Sequence, residues 1–156
     1  MRTAEITRKT GETDIALRLT LEGTGKSSIS TGVGFLDHML TLFANHGNFN
    51  LKVQAQGDLD VDCHHTMEDL GLVLGDALNQ AVGDKAGIRR YGNFLLPMDE
   101  ALAMIALDLS GRPYLVYDVK VPAPYIKDLD TALFHEFFMA FAVKSAMNLH
   151  IRMISG

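Results

Sequence analysis

Apolar side chains alternate with polar ones from Ala4 to Lys9 and again from Thr13 to Leu21. In the second stretch Ile15, Leu17, Leu19 and Leu21 fall on one face, Arg18 and Thr20 on the other. A period of two predicts half-buried strands, and Gly11 and Gly23 to Gly25 mark the turns that follow them. After Gly32-Val-Gly34 the spacing becomes helical over Phe35 to His46, with Gly47 expected as the C-terminal cap. Phe49 to Ala55 reads as a strand and Gly57 to Cys63 as an acidic connection. Thr66 to Val82 carries Leu70, Val73, Leu74, Ala77, Leu78 and Ala81 at the spacing of an amphipathic helix. Lys85 to Arg90 is a basic loop. Strands are expected over Ala101 to Leu109 and Tyr114 to Val121, parted by the Gly111-Arg-Pro113 turn. Thr131 to Met147 reads as an apolar helix and Leu149 to Ile154 as a strand.

A shift of 98 residues lays Phe35–Val53 on Leu133–Ile151, matching Phe43 with Phe141, Ala44 with Ala142, Leu51 with Leu149 and Val53 with Ile151. The element order agrees as well, so the pattern implies an α+β fold of two repeated half-domains (strands–helix–strand–helix), residues 1–92 and 93–156. The first copy continues from its strand into a helix near His64. The second reaches Gly156 about where its matching helix is expected to begin, so it is expected to lack that last helix.

Composition narrows the function. Of 156 residues 47% are hydrophobic and 21% charged, enough apolar material for a buried core. A net charge of −5 argues against a general nucleic-acid or membrane-surface role, so an anionic substrate needs a local basic cluster. The single cysteine, Cys63, excludes an intrachain disulfide framework. No apolar run approaches about 18 residues, and the N-terminal residues lack a signal-peptide core. A cytoplasmic location is expected.

The strongest chemical signal is Asp62-Cys-His-His-Thr-Met-Glu-Asp69. His64 and His65 precede a helix, with Glu68 one turn on, so an imidazole and the carboxylate can converge on one cation, or the two imidazoles can serve two. Asp62 and Asp69 are candidates for orienting those imidazoles. The plainer alternative is a polar helix start, with Thr66 and Asp69 forming a capping pair. His38, among apolar neighbours, reads alone as a core histidine, yet the repeat sets it opposite Glu136 and Asp37 opposite His135, as in a pseudo-symmetric two-metal site. His46 and His150 read as structural. Arg90 and Arg112, with Lys85 nearby, are candidates for a phosphate, because a guanidinium donates two hydrogen bonds to its oxygens; Arg89 reads as an ordinary surface residue. Asp99 and Glu100 are carboxylates preceding a strand. Nucleotide-binding glycine loops and serine-nucleophile patterns are absent, and nothing marks Cys63 as activated.

Four motifs in this order resemble the imidazoleglycerol-phosphate dehydratase family: Gly32-Val-Gly-Phe-Leu-Asp-His-Met-Leu40, Asp62-Cys-His-His-Thr-Met-Glu-Asp69, Pro97-Met-Asp-Glu100 and Asp108-Leu-Ser-Gly-Arg-Pro-Tyr114. The resemblance implies a ribosomal protein S5 domain 2-like fold and a homo-oligomer of 24 subunits, with two manganese ions per active site at subunit contacts. It further implies a hydro-lyase of histidine biosynthesis that dehydrates D-erythro-imidazole glycerol phosphate to imidazole acetol phosphate. Metal ligands implied for this chain are His38, His64, His65, Glu68 and, in preference to His135, Glu136. Glu12, Arg90 and Arg112 match substrate contacts, and Glu68 and Asp99 match catalytic carboxylates. The family carries a second His-His-x-x-Glu segment and a terminal Ser/Thr-Lys segment, both expected after Gly156. Two rivals stand beside this reading: a metal-dependent hydrolase, and a metal-stabilised, assembly-competent form without activity. Neither a nucleic acid nor a membrane is an expected partner.

Overall fold

The computed structural model describes all 156 residues. In chain order the elements are β1 (Thr3–Lys9), β2 (Thr13–Thr20), β3 (Ser27–Ser30), α1 (Gly34–Gly47), β4 (Asn50–Gly57), α2 (His64–Val82), β5 (Tyr91–Met98), β6 (Ala101–Asp108), β7 (Tyr114–Asp118), β8 (Tyr125–Ile126), β9 (Leu129–Asp130), α3 (Leu133–Ser145) and β10 (Asn148–Ser155). Two four-stranded sheets carry the repeat, in the orders β1-β2-β4-β3 and β5-β6-β10-β7. In each, the first three strands are antiparallel and the last is parallel to its neighbour. The expected α+β architecture of sheets backed by helices is therefore present, and no helix is long and apolar enough to cross a membrane.

The alternating pattern does what period two demands. Ile15, Leu17, Leu19, Leu51 and Val53 are buried on one face of the first sheet, while Asp14, Arg18, Lys52 and Gln54 face out. α2 lays its apolar side over β1 and β2, and α3 packs on α2 and β7. Gly71 and Gly75 let those helices approach closely: a Cβ on Gly71 would sit 2.4 Å from the Phe137 carbonyl oxygen, and one on Gly75 2.7 Å from that of Phe141. Twenty buried residues form the main core, and Ala142, Met147, Leu149 and Ile151 form a smaller one under the second sheet.

Two strands escape the hydrophobic pattern. β3 is a short polar run, Ser27-Ser-Ile-Ser30, held at a sheet edge by parallel pairing to β4. β5 contains Phe94-Leu-Leu-Pro-Met98, where apolar residues run consecutively; its place at the sheet edge accommodates Pro97, which cannot donate to a second neighbour. The cap of α1 also differs from expectation. Gly47 is the last helical residue, and Asn48 takes the left-handed turn at φ 54°, a conformation asparagine tolerates.

Register makes the duplication quantitative. Leu19 pairs with Leu51 and Leu107 with Leu149, so Ile15, Leu17 and Leu19 correspond to Ala103, Ile105 and Leu107. By the same pairing Ile6 corresponds to Phe94. The first-sheet face lies under α2. Its counterpart is open at Phe94 (64% exposed) and Ile105 (38%).

Candidate active site

The N-terminus of α2 gathers the donor-rich residues. Cys63 precedes the helix without a side-chain cap, and the Asp62 carboxylate accepts the His64 backbone N–H at 2.8 Å. One turn on, Glu68 Oε2 lies 3.5 Å from His64 Nε2. The His64 and His65 rings stack with centroids 5.7 Å apart. His65 Nδ1 is 2.8 Å from Asp58 Oδ2. That hydrogen bond is the main cause that raises the His65 pKa; partial burial opposes it, and the charges of Asp58, Glu12 and Asp62 add to it. When Nδ1 donates to the carboxylate, the neutral ring keeps its lone pair on Nε2.

Asp58 was not singled out by the sequence, and Asp62 and Asp69 do not orient an imidazole as expected. Asp62 serves the helix backbone. Asp69 is buried and turns to the Arg8 guanidinium, 3.0 Å away, and to the Thr13 hydroxyl. Nor do Thr66 and Asp69 cap the helix: the Thr66 hydroxyl is buried without a partner. The one available signal for Asp58 was its place in the acidic Gly57–Cys63 connection, which the chain folds back alongside His65. Burial pushes the Cys63 thiol up, with the charges of Asp62 and Asp128 adding, so it is not an activated thiolate.

The other expected site residues occupy separate places. Glu12 is exposed at the β1–β2 tip and His38 is exposed on α1. Glu136 stands in the first turn of α3, where its Oε1 lies 3.2 Å from His135 Nδ1. Phe35 and Phe134, with ring centroids 5.9 Å apart, hold the starts of α1 and α3 together. Asp99 is exposed at the β5–β6 tip with φ 50°. Within one chain, no three His, Cys, Asp or Glu side chains converge as a metal-holding group. They remain pairs: His64 with Glu68, His65 with Asp58, and His135 with Glu136.

The basic cluster is assembled across the second sheet. Arg90 Nε and Nη2 donate to the two Asp108 oxygens at 2.6 and 3.0 Å, and the guanidinium sits over the Tyr91 ring at 5.0 Å. Asp108 is held below the ordinary carboxylate range, first by the hydrogen bond from Arg90 and then by its charge and those of Arg112 and Lys85. Lys85 Nζ donates to the Leu109 carbonyl at 2.9 Å, tying the basic loop to the turn that bears Arg112.

Residues 31–156 match the model of the imidazoleglycerol-phosphate dehydratase family. This chain belongs to that family. A relative of that description from Trichlorobacter lovleyi is 58% identical over 155 residues, covering 99% of this chain and 80% of the relative. One from Acetivibrio thermocellus is 56% identical over 152 residues, covering 97% and 78% respectively. Among solved structures, imidazoleglycerol-phosphate dehydratase from Staphylococcus aureus superposes with a TM-score of 0.88 at 38% identity, over 99% of this chain and 85% of that one. The enzyme from Pyrococcus furiosus, solved in complex with (S)-C348, gives 0.83 at 34% identity, over 97% and 80%. The family match accordingly makes this chain an imidazoleglycerol-phosphate dehydratase by descent, a lyase of histidine biosynthesis.

Proposed function

We propose that this protein removes water from D-erythro-imidazole glycerol phosphate, giving imidazole acetol phosphate, with two divalent cations, manganese first among them, at each site. The carrying observation is the start of α2, where two neighbouring imidazoles each meet a carboxylate of the chain, His64 with Glu68 and His65 with Asp58. The donor set fits a divalent cation: neutral imidazole nitrogens and carboxylate oxygens suit manganese, iron or zinc, and Asp58 holds the His65 tautomer that leaves Nε2 free. His38, His64, His65, Glu68 and Glu136 would hold the metals. Bound metal supplies Lewis acidity and a template for the substrate's imidazole. The chain's own groups do the rest. Arg90, oriented by Asp108, and Arg112 bind the phosphate. Glu12 and Asp99 orient the substrate hydroxyls, and Glu68 moves the proton.

Because one chain holds its ligands only as pairs, the reading completes each site with residues of neighbouring copies, in a homo-oligomer expected to reach 24 subunits. The outer sheet faces support this. In the first sheet the outward residues include Glu5, Thr7, Arg18, Lys52 and Gln54; at matching places the second has Asn93, Leu95, Ala106, His150 and Arg152, with Leu102, Met104 and Val116 on the same face. Leu95, Leu102, Met104, Ala106 and Val116 make this outer face more apolar than that of the first sheet, as a face covered by another copy requires. A cytoplasmic setting suits the buried free thiol of Cys63.

The test is turnover of imidazole glycerol phosphate by the 17.1 kDa chain with and without manganese, alongside Glu68→Gln. Metal-dependent keto product that is lost in Glu68→Gln supports the reading. Undiminished turnover by Glu68→Gln sinks the role of that residue, and release of inorganic phosphate in place of the keto product would make the protein a hydrolase.

A further inference from the structure

Asp69 presents a problem that the metal site does not solve. The residue is only 8% exposed, and a buried charge is tolerated when it is paired and hydrogen-bonded. Oδ1 meets Arg8 Nε at 3.0 Å. Oδ2 accepts the hydroxyl of Thr13, a residue 4% exposed at the start of β2. An ionised carboxylate is acceptor only, so the single Thr13 hydroxyl hydrogen is committed to it. The 3.2 Å contact between the Thr10 and Thr13 hydroxyls must then run from Thr10 to Thr13. The Thr10 oxygen in turn accepts two backbone N–H groups, from Glu12 at 3.1 Å and from Thr13 at 3.0 Å. One directed chain of hydrogen bonds thus runs from the Glu12 amide through Thr10 and Thr13 to Asp69. Such chains polarise each link in the same sense.

The geography gives this chain a purpose. Asp69 is four residues after His65 on α2, so it lies on the same side of the helix one turn along. Glu12 sits at the hairpin tip that the chain secures, next to Thr13, which pairs with Gly57, the neighbour of the Asp58 that bonds His65. We propose that Thr13 and Asp69 are positioning residues, whose buried hydrogen bond fixes the β1–β2 tip to the first turns of α2 and so holds the Glu12 carboxylate beside His65 and the substrate. The proposal rests on the reading of Glu12 as a substrate contact, but the clamp itself is a property of the metal-free chain. Thr13 is suited to the task because its branched carbon belongs in a strand while its hydroxyl reaches the carboxylate.

Thr13→Val keeps the shape and removes the hydroxyl; Thr13→Ser keeps the hydroxyl. Hydrogen exchange is measured by NMR on the metal-free protein, and kcat and KM on the manganese-loaded one. In Thr13→Val the Glu12 amide exchanges at least tenfold faster while Leu17 and Val53 in the same sheet are unchanged; Thr13→Ser behaves as the parent. Because a displacement near 1 Å can cost a factor of about 100, kcat/KM falls about 10- to 100-fold in Thr13→Val, and adding Glu12→Gln to it costs little more. Parental exchange at Glu12 in Thr13→Val overturns the proposal, as does a double variant whose losses multiply in full. Should Thr13→Val fail to fold, Thr13→Ala removes the same hydroxyl with a smaller side chain and is read in the same way. If the parent protein does not turn over the substrate, the proposed function fails while the exchange data still decide the clamp.

Discussion

Gly71→Ala puts the helix-to-helix contact on a numerical footing. Gly71 lies inside α2, where alanine is favoured over glycine by about 1 kcal/mol through backbone entropy alone. Position 71 is not free, however. The new methyl carbon would meet the Phe137 carbonyl oxygen at 2.4 Å and the Ala140 methyl at 2.9 Å, and the first is backbone of α3, which moves only as a unit. Forcing a methyl group into a packed contact costs about 1–3 kcal/mol, and more where backbone must shift. The clash wins, leaving a net loss of about 1–2 kcal/mol, or about 2–8 °C in melting temperature for a chain of this size. Gly34 provides the control, since it begins α1 with nothing within 4 Å of an added Cβ. Gly34→Ala should be neutral or stabilising by up to about 1 kcal/mol. The assay is urea and thermal unfolding of both variants at one protein concentration, because assembly would make stability depend on concentration. A Gly71→Ala protein that melts at or above the parent temperature would refute the close packing of α2 on α3.

Three further outcomes follow from the site and the sheets. Asp58→Ala should weaken manganese binding about 10- to 100-fold, the usual cost of losing a carboxylate behind a metal-binding imidazole; calorimetry showing parental affinity would remove Asp58 from that role. Arg90 lowers the folded pKa of Asp108 below its ordinary 3.8, so the pair's stabilisation is complete above that value and is lost as the pH falls through the lower, folded one. Asp108→Asn should therefore show a flatter decline of its urea midpoint below about pH 4 than the parent does, and parallel declines would contradict the pairing. Leu95→Asp, at a side chain 58% exposed on the outer face of the second sheet, should weaken self-association by at least about 1 kcal/mol, about fivefold. Sedimentation profiles matching the parent across a concentration series would show that this face is not a contact between copies.

The wet half of the site was legible because local sequence builds it. His64 and Glu68 meet at the start of α2, beside His65, through helical periodicity alone, and residues three or four apart on a helix are neighbours wherever the helix lies. The helix–strand repeat was legible for the same reason: α1 with β4 and α3 with β10 keep the 98-residue offset and nearly the same lengths. Asp58 was not legible, because it reaches His65 through the path of a loop that no periodicity governs. The pairing of Arg90 with Asp108 also joins residues 18 apart in sequence, across the antiparallel register of β5 and β6.

Alternating and helical hydrophobic patterns determined which segments are strands and helices, and the duplicated order of those segments determined the α+β fold. Both follow from side-chain direction along a single element, which the chain encodes locally. Tertiary structure decided the remainder. It set the edge strands β3 and β5, which exist because a neighbour offers backbone groups to pair with rather than because of their own pattern. It exchanged the partners of Asp58, Asp62 and Asp69, since three carboxylates of one chemistry are told apart only by what lies across from them. It also left the expected metal ligands as pairs within one chain, because a distance between two elements depends on how they pack, and spacing along the sequence carries no record of that.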